Sequence, residues 1–251
     1  MKNNKLLLFL IQVLALLLFV LCLYIFIKGD ATLLNPKKVQ ESQSVTEKKT
    51  TATSKANSDL PKVSAKDWEL VLVNRDHIKE EMNPELSEIN GIYVDKRIAD
   101  ATADFLAAAQ AVSPQEHLIS GYRSVEYQAQ LYQTYLAQEM AKDPNLTQEA
   151  AEKLVQAYSQ PAGSSEHQTG LAIDMSTVDQ LNQSDPAVVK QIIALAPKYG
   201  FVLRFKDDKK ESTGVGYEDW HYRYVGKESA AYMTKHNLSL EEYIKVLKEK
   251  Q

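Results

Sequence analysis

Hydrophobic positions fall into one unbroken run near the N-terminus and several short periodic ones beyond residue 66. From Leu6 to Ile27 every residue is apolar except Gln12 and Tyr24. A helix of about 22 residues is about 33 Å long, enough to cross a hydrocarbon core of roughly 30 Å. The pattern therefore predicts a transmembrane anchor over 6–28, with residues 1–5 on the cytoplasmic side. Lys2 and Lys5 precede the span and Lys28 follows it, so the charge bias is small but fits a cytoplasmic N-terminus. The competing reading is a cleaved signal peptide, with Gly29-Asp30-Ala31 as the small-residue site. Its apolar region would be long for that role.

Residues 29–65 are rich in Ser, Thr, Lys and Gln with few large apolar side chains. Such a segment buries too little surface to offset its ordering entropy, so it reads as a flexible tether. The body, 66–251, alternates short apolar runs with helical periods. Trp68 to Asn74 reads as a short strand. Asp95 to Val112 reads as a helix with Ile98, Phe105, Leu106 and Ala109 on one face. Leu118 to Ser120 is a strand. Ser124 then caps a helix running to about Ala141, with Tyr127, Leu131, Tyr135 and Leu136 as its buried stripe. Gln148 to Tyr158 is a further helix. Gly170 to Met175 is a strand, and Pro186 to Tyr199 is a helix stopped by Gly200. Phe201 to Phe205 and His221 to Val225 are strands, and Ser239-Leu-Glu-Glu opens the last helix as a capping box. Helices and short strands mix without regular βαβ alternation. The expected fold is therefore a single α+β domain with a small, mainly antiparallel sheet and flanking helices.

Charge narrows the function. Residues 1–64 carry 9 Lys/Arg against 4 Asp/Glu, and the remainder 20 against 29. An acidic body argues against a nucleic-acid partner, which needs a basic footprint. The lone cysteine, Cys22, lies inside the apolar run. The body thus has no thiolate nucleophile, no cysteine metal ligand and no disulfide.

Two histidines sit in contexts that suggest chemistry. His167 lies seven residues before Asp174, which ends Gly170-Leu-Ala-Ile-Asp174. On a strand, Leu171 and Ile173 point to one face and Ala172 and Asp174 to the other. Asp174 is therefore aimed away from the core. His221 opens a strand, three residues after Glu218. Two imidazoles and a carboxylate suit a catalytic zinc, which uses three protein ligands and keeps a fourth position open. A carboxylate beside the metal can then act as base. Spacing alone leaves other readings open, because a lone His is more often structural and an Asp at this position equally suits the start of a turn. There is no H-E-x-x-H helix, no G-x-S-x-G elbow and no phosphate-cradling Gly-rich loop. His77, His117 and His236 read as structural or exposed.

Three segments occur in order: Ser120-Gly-Tyr-Arg-Ser124, Ser165-Glu-His-Gln-Thr-Gly-Leu-Ala-Ile-Asp174 and Glu218-Asp-Trp-His221. Together they resemble the signature of the zinc D-alanyl-D-alanine carboxypeptidases, over roughly Val71 to Tyr224. That family includes vancomycin-resistance D,D-carboxypeptidases and Gram-positive L,D-carboxypeptidases that trim peptidoglycan tetrapeptides. The resemblance implies one zinc per chain on His167, Asp174 and His221, with Glu218 as catalytic base. It implies Arg123 at the scissile carbonyl and its developing oxyanion. Gln128 and Ser165 match positions that help bind the terminal residue of the substrate.

The implied function is release of the C-terminal D-alanine from peptidoglycan stem peptides, outside the cell membrane of a Gram-positive bacterium. The anchor-plus-tether layout and Gln168-Thr169-Gly170 favour L,D-cleavage of tetrapeptides over D,D-cleavage of pentapeptides. A non-catalytic wall-binding module is the reading from a different class, and it should lack a ligand or the base. No protein partner is expected.

Overall fold

The computed structural model describes residues 59–179 and 182–250. The predicted anchor at 6–28, Cys22 and most of the predicted tether lie outside these residues. Among the described residues no helix is long and apolar enough to cross a membrane.

The first regular element is a hairpin of β1 (Leu86–Ile89) and β2 (Ile92–Asp95). Asn90 and Gly91 close it with φ of 51° and 82°, the left-handed pair that matches the twist of two joined strands. Helix α1 (Ala99–Val112) and strand β3 (His117–Ser120) follow. Next come α2 (Val125–Lys142) and α3 (Gln148–Val155). Strand β4 is Ala172–Ser176, and α4 is Pro186–Leu195. Strand β5 (Phe201–Leu203) and the one-turn α5 (Lys210–Thr213) lead to β6 (His221–Tyr224). The chain closes with α6 (Lys227–Lys235) and α7 (Leu240–Lys250).

The main sheet has four strands in the order β3-β4-β6-β5, and every pairing is antiparallel. This is the small antiparallel sheet with flanking helices that the sequence predicts. Its register decides where the chemistry sits. Ser120 pairs with Asp174, and Asp174 with His221, so three polar residues form one row across three strands. Residues directly opposite in an antiparallel ladder project to the same face. The neighbouring positions Ile173, Met175 and Tyr222 turn the other way, into a core with Phe105, Leu106, Ile192 and Phe201. The Phe105 ring lies 5.1 Å from that of Phe201 and 5.2 Å, edge-on, from that of Tyr222. One face of the sheet is thus fixed by α1 and α4, and the other is left to carry polar groups.

A second apolar cluster joins α6 and α7 to Leu70, Val202 and Val225. Leu60, Val63 and Ala65, within the stretch read as tether, pack against it. Helix α7 opens as the capping box predicts. The Glu242 amide donates to Ser239 Oγ at 3.1 Å, and the Ser239 amide to Glu242 Oε2 at 2.8 Å.

Several local expectations change. Trp68–Leu70 is a 3-10 turn and not the start of a strand. The carbonyls of Glu69 and Val71 there accept from Arg223 Nη2, both at 2.8 Å, so a buried guanidinium takes the place of a partner strand. The stripe on α2 is turned by one position. Its buried residues are Gln128, Tyr132 and Leu136, while Tyr127 is exposed. Helix α3 ends at Val155, and Ala196–Tyr199 tightens into a 3-10 turn before Gly200. The strands after it stop at Leu203 and Tyr224. The β1–β2 hairpin and α6 have no counterpart in the sequence reading.

Candidate metal centre

Asp174 and His221 face each other because of the β4–β6 register. His167 joins them from a short 3-10 turn, Glu166–Thr169, which ends at Gly170 with φ 69°. A Cβ at Gly170 would come within 2.8 Å of the Asp95 amide nitrogen. Only a glycine allows both that approach and the left-handed turn that swings the chain into β4.

One atom from each of His167, Asp174 and His221 can be chosen so that all three lie within 4.8 Å of one another, and all three residues are buried. His167 Nε2 is 3.4 Å from Asp174 Oδ2, and His221 Nδ1 is 3.1 Å from Asp174 Oδ1. The two rings are perpendicular, with centroids 4.9 Å apart. His167 Nδ1 lies 2.7 Å from the Gly121 carbonyl oxygen. As donor there, Nδ1 leaves the Nε2 lone pair for the cluster. Asp174 Oδ2 also accepts from Ser120 Oγ at 2.5 Å, while Asp174 Oδ1 is buried without a hydrogen bond among the described residues. Buried polar atoms that converge without bonding one another are costly on their own. They fit a bound cation, and two nitrogens with a carboxylate oxygen are zinc's preferred donors.

Around this set lie the other predicted groups. Glu218 Oε2 is 3.8 Å from His221 Nδ1. Arg123 Nη1 is 3.8 Å from Asp174 Oδ2 and donates to Ser120 Oγ at 3.4 Å. Arg123 Nε is buried with no acceptor among the described residues. Arg123, Ser165, Glu218 and Trp220 all line one cavity of 250 Å³ with the three metal-facing residues. Ser165 precedes the 3-10 turn, and its hydroxyl does not cap it.

Gln128 stands apart. It is buried on α2, and its amide donates to the Gln160 carbonyl at 2.7 Å and to Ser159 Oγ at 3.3 Å. Ser159 and Gln160 line the cavity, so Gln128 braces the wall from behind. Gln168 also serves structure, donating to the carbonyls of Lys79 and Glu80, both at 3.1 Å. His77 is exposed, His117 pairs with Asp179, and His236 pairs with Asp59.

The electrostatics follow from burial. Burial pushes the Glu218 carboxyl up to about 8; His221 and Arg123 oppose this, while Asp174 and Glu166 add to it. Such a carboxyl is a stronger base than an exposed one. Burial also acts to raise Asp174, but the His167 and His221 rings outweigh it and hold the carboxyl well below the usual range. Burial lowers His167, helped by the Arg123 charge. For His221 burial is outweighed by Asp174 and Glu166, which push it up to about 9. Cation binding must displace that proton, so metal uptake here is pH-dependent.

Sequence reasoning missed Glu166. Its Oε1 accepts from Arg204 Nε at 2.9 Å and Arg223 Nη1 at 2.8 Å, all three residues being buried. The one visible signal was Arg204 inside the apolar run Phe201-Val-Leu-Arg-Phe205, since a charge is rarely buried there unless paired.

The model of the D-alanyl-D-alanine carboxypeptidase family VanY matches residues 91–227. A D-alanyl-D-alanine carboxypeptidase of Enterococcus faecalis is 36% identical over 200 residues, covering 79% of this chain and 72% of the relative. Among solved structures, a mutant of the vancomycin-resistance D,D-pentapeptidase VanY in complex with Zn(II) is 35% identical with a TM-score of 0.64. The match covers 71% of this chain and 99% of that one. The LdcB LD-carboxypeptidase is 31% identical with a TM-score of 0.56, covering 75% of this chain and 94% of that one.

Proposed function

The chain belongs to the VanY family of D-alanyl-D-alanine carboxypeptidases, and from that premise we propose a zinc-dependent carboxypeptidase that releases the C-terminal D-alanine of peptidoglycan stem peptides. One observation carries the reading. His167, Asp174 and His221 converge in a cavity that also presents Glu218 and Arg123. A wall-binding module without catalysis has no need of a buried carboxyl such as Glu218 beside a complete ligand set.

His167 Nε2, His221 Nδ1 and the Asp174 carboxylate would hold a zinc ion, which when bound would supply Lewis-acid polarisation of the scissile carbonyl and acidify a water beside it. Glu218 takes the proton from that water and later delivers it to the leaving amine. Arg123, whose side chain is mostly buried, receives the charge that develops on the carbonyl oxygen. Ser120 fixes the Asp174 carboxylate, and Gly121 fixes the His167 ring. Ser165 offers a hydroxyl at the cavity wall for the terminal residue of the substrate, while Gln128 holds Ser159 and Gln160 in place.

The preceding residue of the substrate is a finer matter. Similarity favours D,D-cleavage of pentapeptides, because the D,D-pentapeptidase matches at higher identity and TM-score than the LD-carboxypeptidase. The L,D reading draws partly on Gln168-Thr169-Gly170, whose Gln168 amide donates to the 79–80 backbone. Its other support is the anchor and tether, with residues 6–28 holding the catalytic domain outside the membrane. Incubation with tetrapeptide and pentapeptide muropeptides, followed by mass measurement, tests this. Loss of one alanine from pentapeptide alone is the expected product; preferential trimming of tetrapeptide would establish L,D-cleavage, and no loss from either would refute the proposed activity.

A further inference from the structure

We infer that Glu166 is the positioning residue that fixes the tautomer of His221, and so selects Nδ1 as the nitrogen offered to the metal. The inference rests on the zinc reading above. His221 Nδ1 faces Asp174, so its Nε2 points to the far side of the ring. There it meets Glu166 Oε2 at 3.5 Å. Both atoms are buried, and neither has a hydrogen-bond partner among the described residues. The other carboxylate oxygen, Oε1, is occupied by two guanidinium groups, Arg204 Nε at 2.9 Å and Arg223 Nη1 at 2.8 Å. Glu166 therefore has one oxygen anchored and one directed at the ring.

The anchoring extends outward in a fixed order. Arg204 Nη1 and Nη2 donate to Glu241 at 3.0 and 2.6 Å, which ties the network to α7. Arg223 projects from β6 two residues after His221, on the same face, and its Nη2 holds the carbonyls of Glu69 and Val71. Two arginines hold the Glu166 carboxylate in place through Oε1 and leave Oε2 facing the His221 ring as the acceptor. With a cation on Nδ1, the Nε2 proton has no other place to go. A carboxylate accepting from the distal nitrogen of a ligating histidine fixes ring orientation and raises ligand basicity. His167 is oriented by a neutral carbonyl through Nδ1, so the two histidines ligate through different nitrogens.

Two measurements on the full chain test this. In zinc-loaded protein labelled with 15N-histidine, long-range proton–nitrogen spectra should place the His221 proton on Nε2 and the His167 proton on Nδ1. A His221 proton on Nδ1 would overturn the inference without any variant. Chelator competition should then show zinc binding weakened about 10–100-fold in Glu166→Gln. Glu241→Gln cuts the same network one step further out; it should lower the melting temperature yet leave zinc affinity within about twofold. Equal loss of affinity in both variants would overturn the inference, because general loosening would then explain it. If Glu166→Gln does not fold, the ring spectra of the wild type decide. Wild-type protein that takes up no zinc would overturn the zinc reading and this inference with it, whereas wild type that binds zinc with the wrong His221 tautomer would overturn the inference alone.

Discussion

Replacing Gly121 by alanine should damage both the fold and the metal site, for a reason visible in the packing. Gly121 follows β3 and passes against β2 on one side and the His167 turn on the other. The Tyr122 amide donates to the Tyr93 carbonyl at 2.6 Å, and the Gly121 carbonyl holds His167 Nδ1 at 2.7 Å. A Cβ at Gly121 would overlap the Tyr93 carbonyl oxygen and lie 2.8 Å from Ile92 Cγ2. The oxygen belongs to the backbone and cannot rotate aside, so β2 and the 121–123 segment must separate. Overpacking of this kind costs about 1–3 kcal/mol, and the lost Tyr122 hydrogen bond adds about 1 kcal/mol. The sum, about 2–4 kcal/mol, corresponds to a fall in Tm of roughly 10 °C for a body of this size. Because the Gly121 carbonyl moves with the segment, zinc affinity should fall at least about tenfold. Urea unfolding of the metal-free chain reads the first effect, and chelator competition the second. A variant within about 0.5 kcal/mol of wild type, with unchanged zinc affinity, would refute the close approach as the reason for glycine.

Two further substitutions separate chemistry from stability. Arg123→Ala should keep its zinc and lose about 10²–10³-fold in kcat, since it removes a donor for developing charge; steady-state kinetics alongside metal analysis check this. Glu116 is buried just before β3, and burial pushes its carboxyl up to about 7, with His117 opposing and Asp219 adding. The folded chain thus holds this proton more tightly than the unfolded chain. Its contribution to stability is full below the ordinary value of 4.5 and is lost as pH rises towards 7. Glu116→Gln should therefore stabilise the protein at pH 8 by on the order of 2 kcal/mol and by little at pH 4, as urea unfolding at the two pH values would record.

The residues proposed to carry chemistry are legible because their signals are local. Asp174 ends an apolar run, His221 opens a strand, and Arg123 follows a strand into a turn; the fold brings all three into one cavity. The Ser239 capping box and the Pro186 helix start are equally local, and both are present. What escaped depends on partners far away in the chain. Glu166 acquires meaning only when β5 and β6 bring Arg204 and Arg223 beside it. Gln128 reads from the sequence as facing the site, whereas its amide nitrogen is engaged by the Gln160 carbonyl, 32 positions later. The stripe on α2 was misplaced for the same reason, because periodicity counts apolar side chains and this helix buries a polar one. The Asn90-Gly91 turn is a local hairpin signal for the β1–β2 pairing.

The central claim is hydrolysis by a zinc site whose base is Glu218. The most direct test measures D-alanine release from muropeptides by the zinc-loaded wild type and by zinc-loaded Glu218→Gln at equal metal content. The account predicts release by the wild type and a rate at least about 10²-fold lower in the variant, with about one zinc per chain in both. A variant that binds zinc and turns over at the wild-type rate would contradict it.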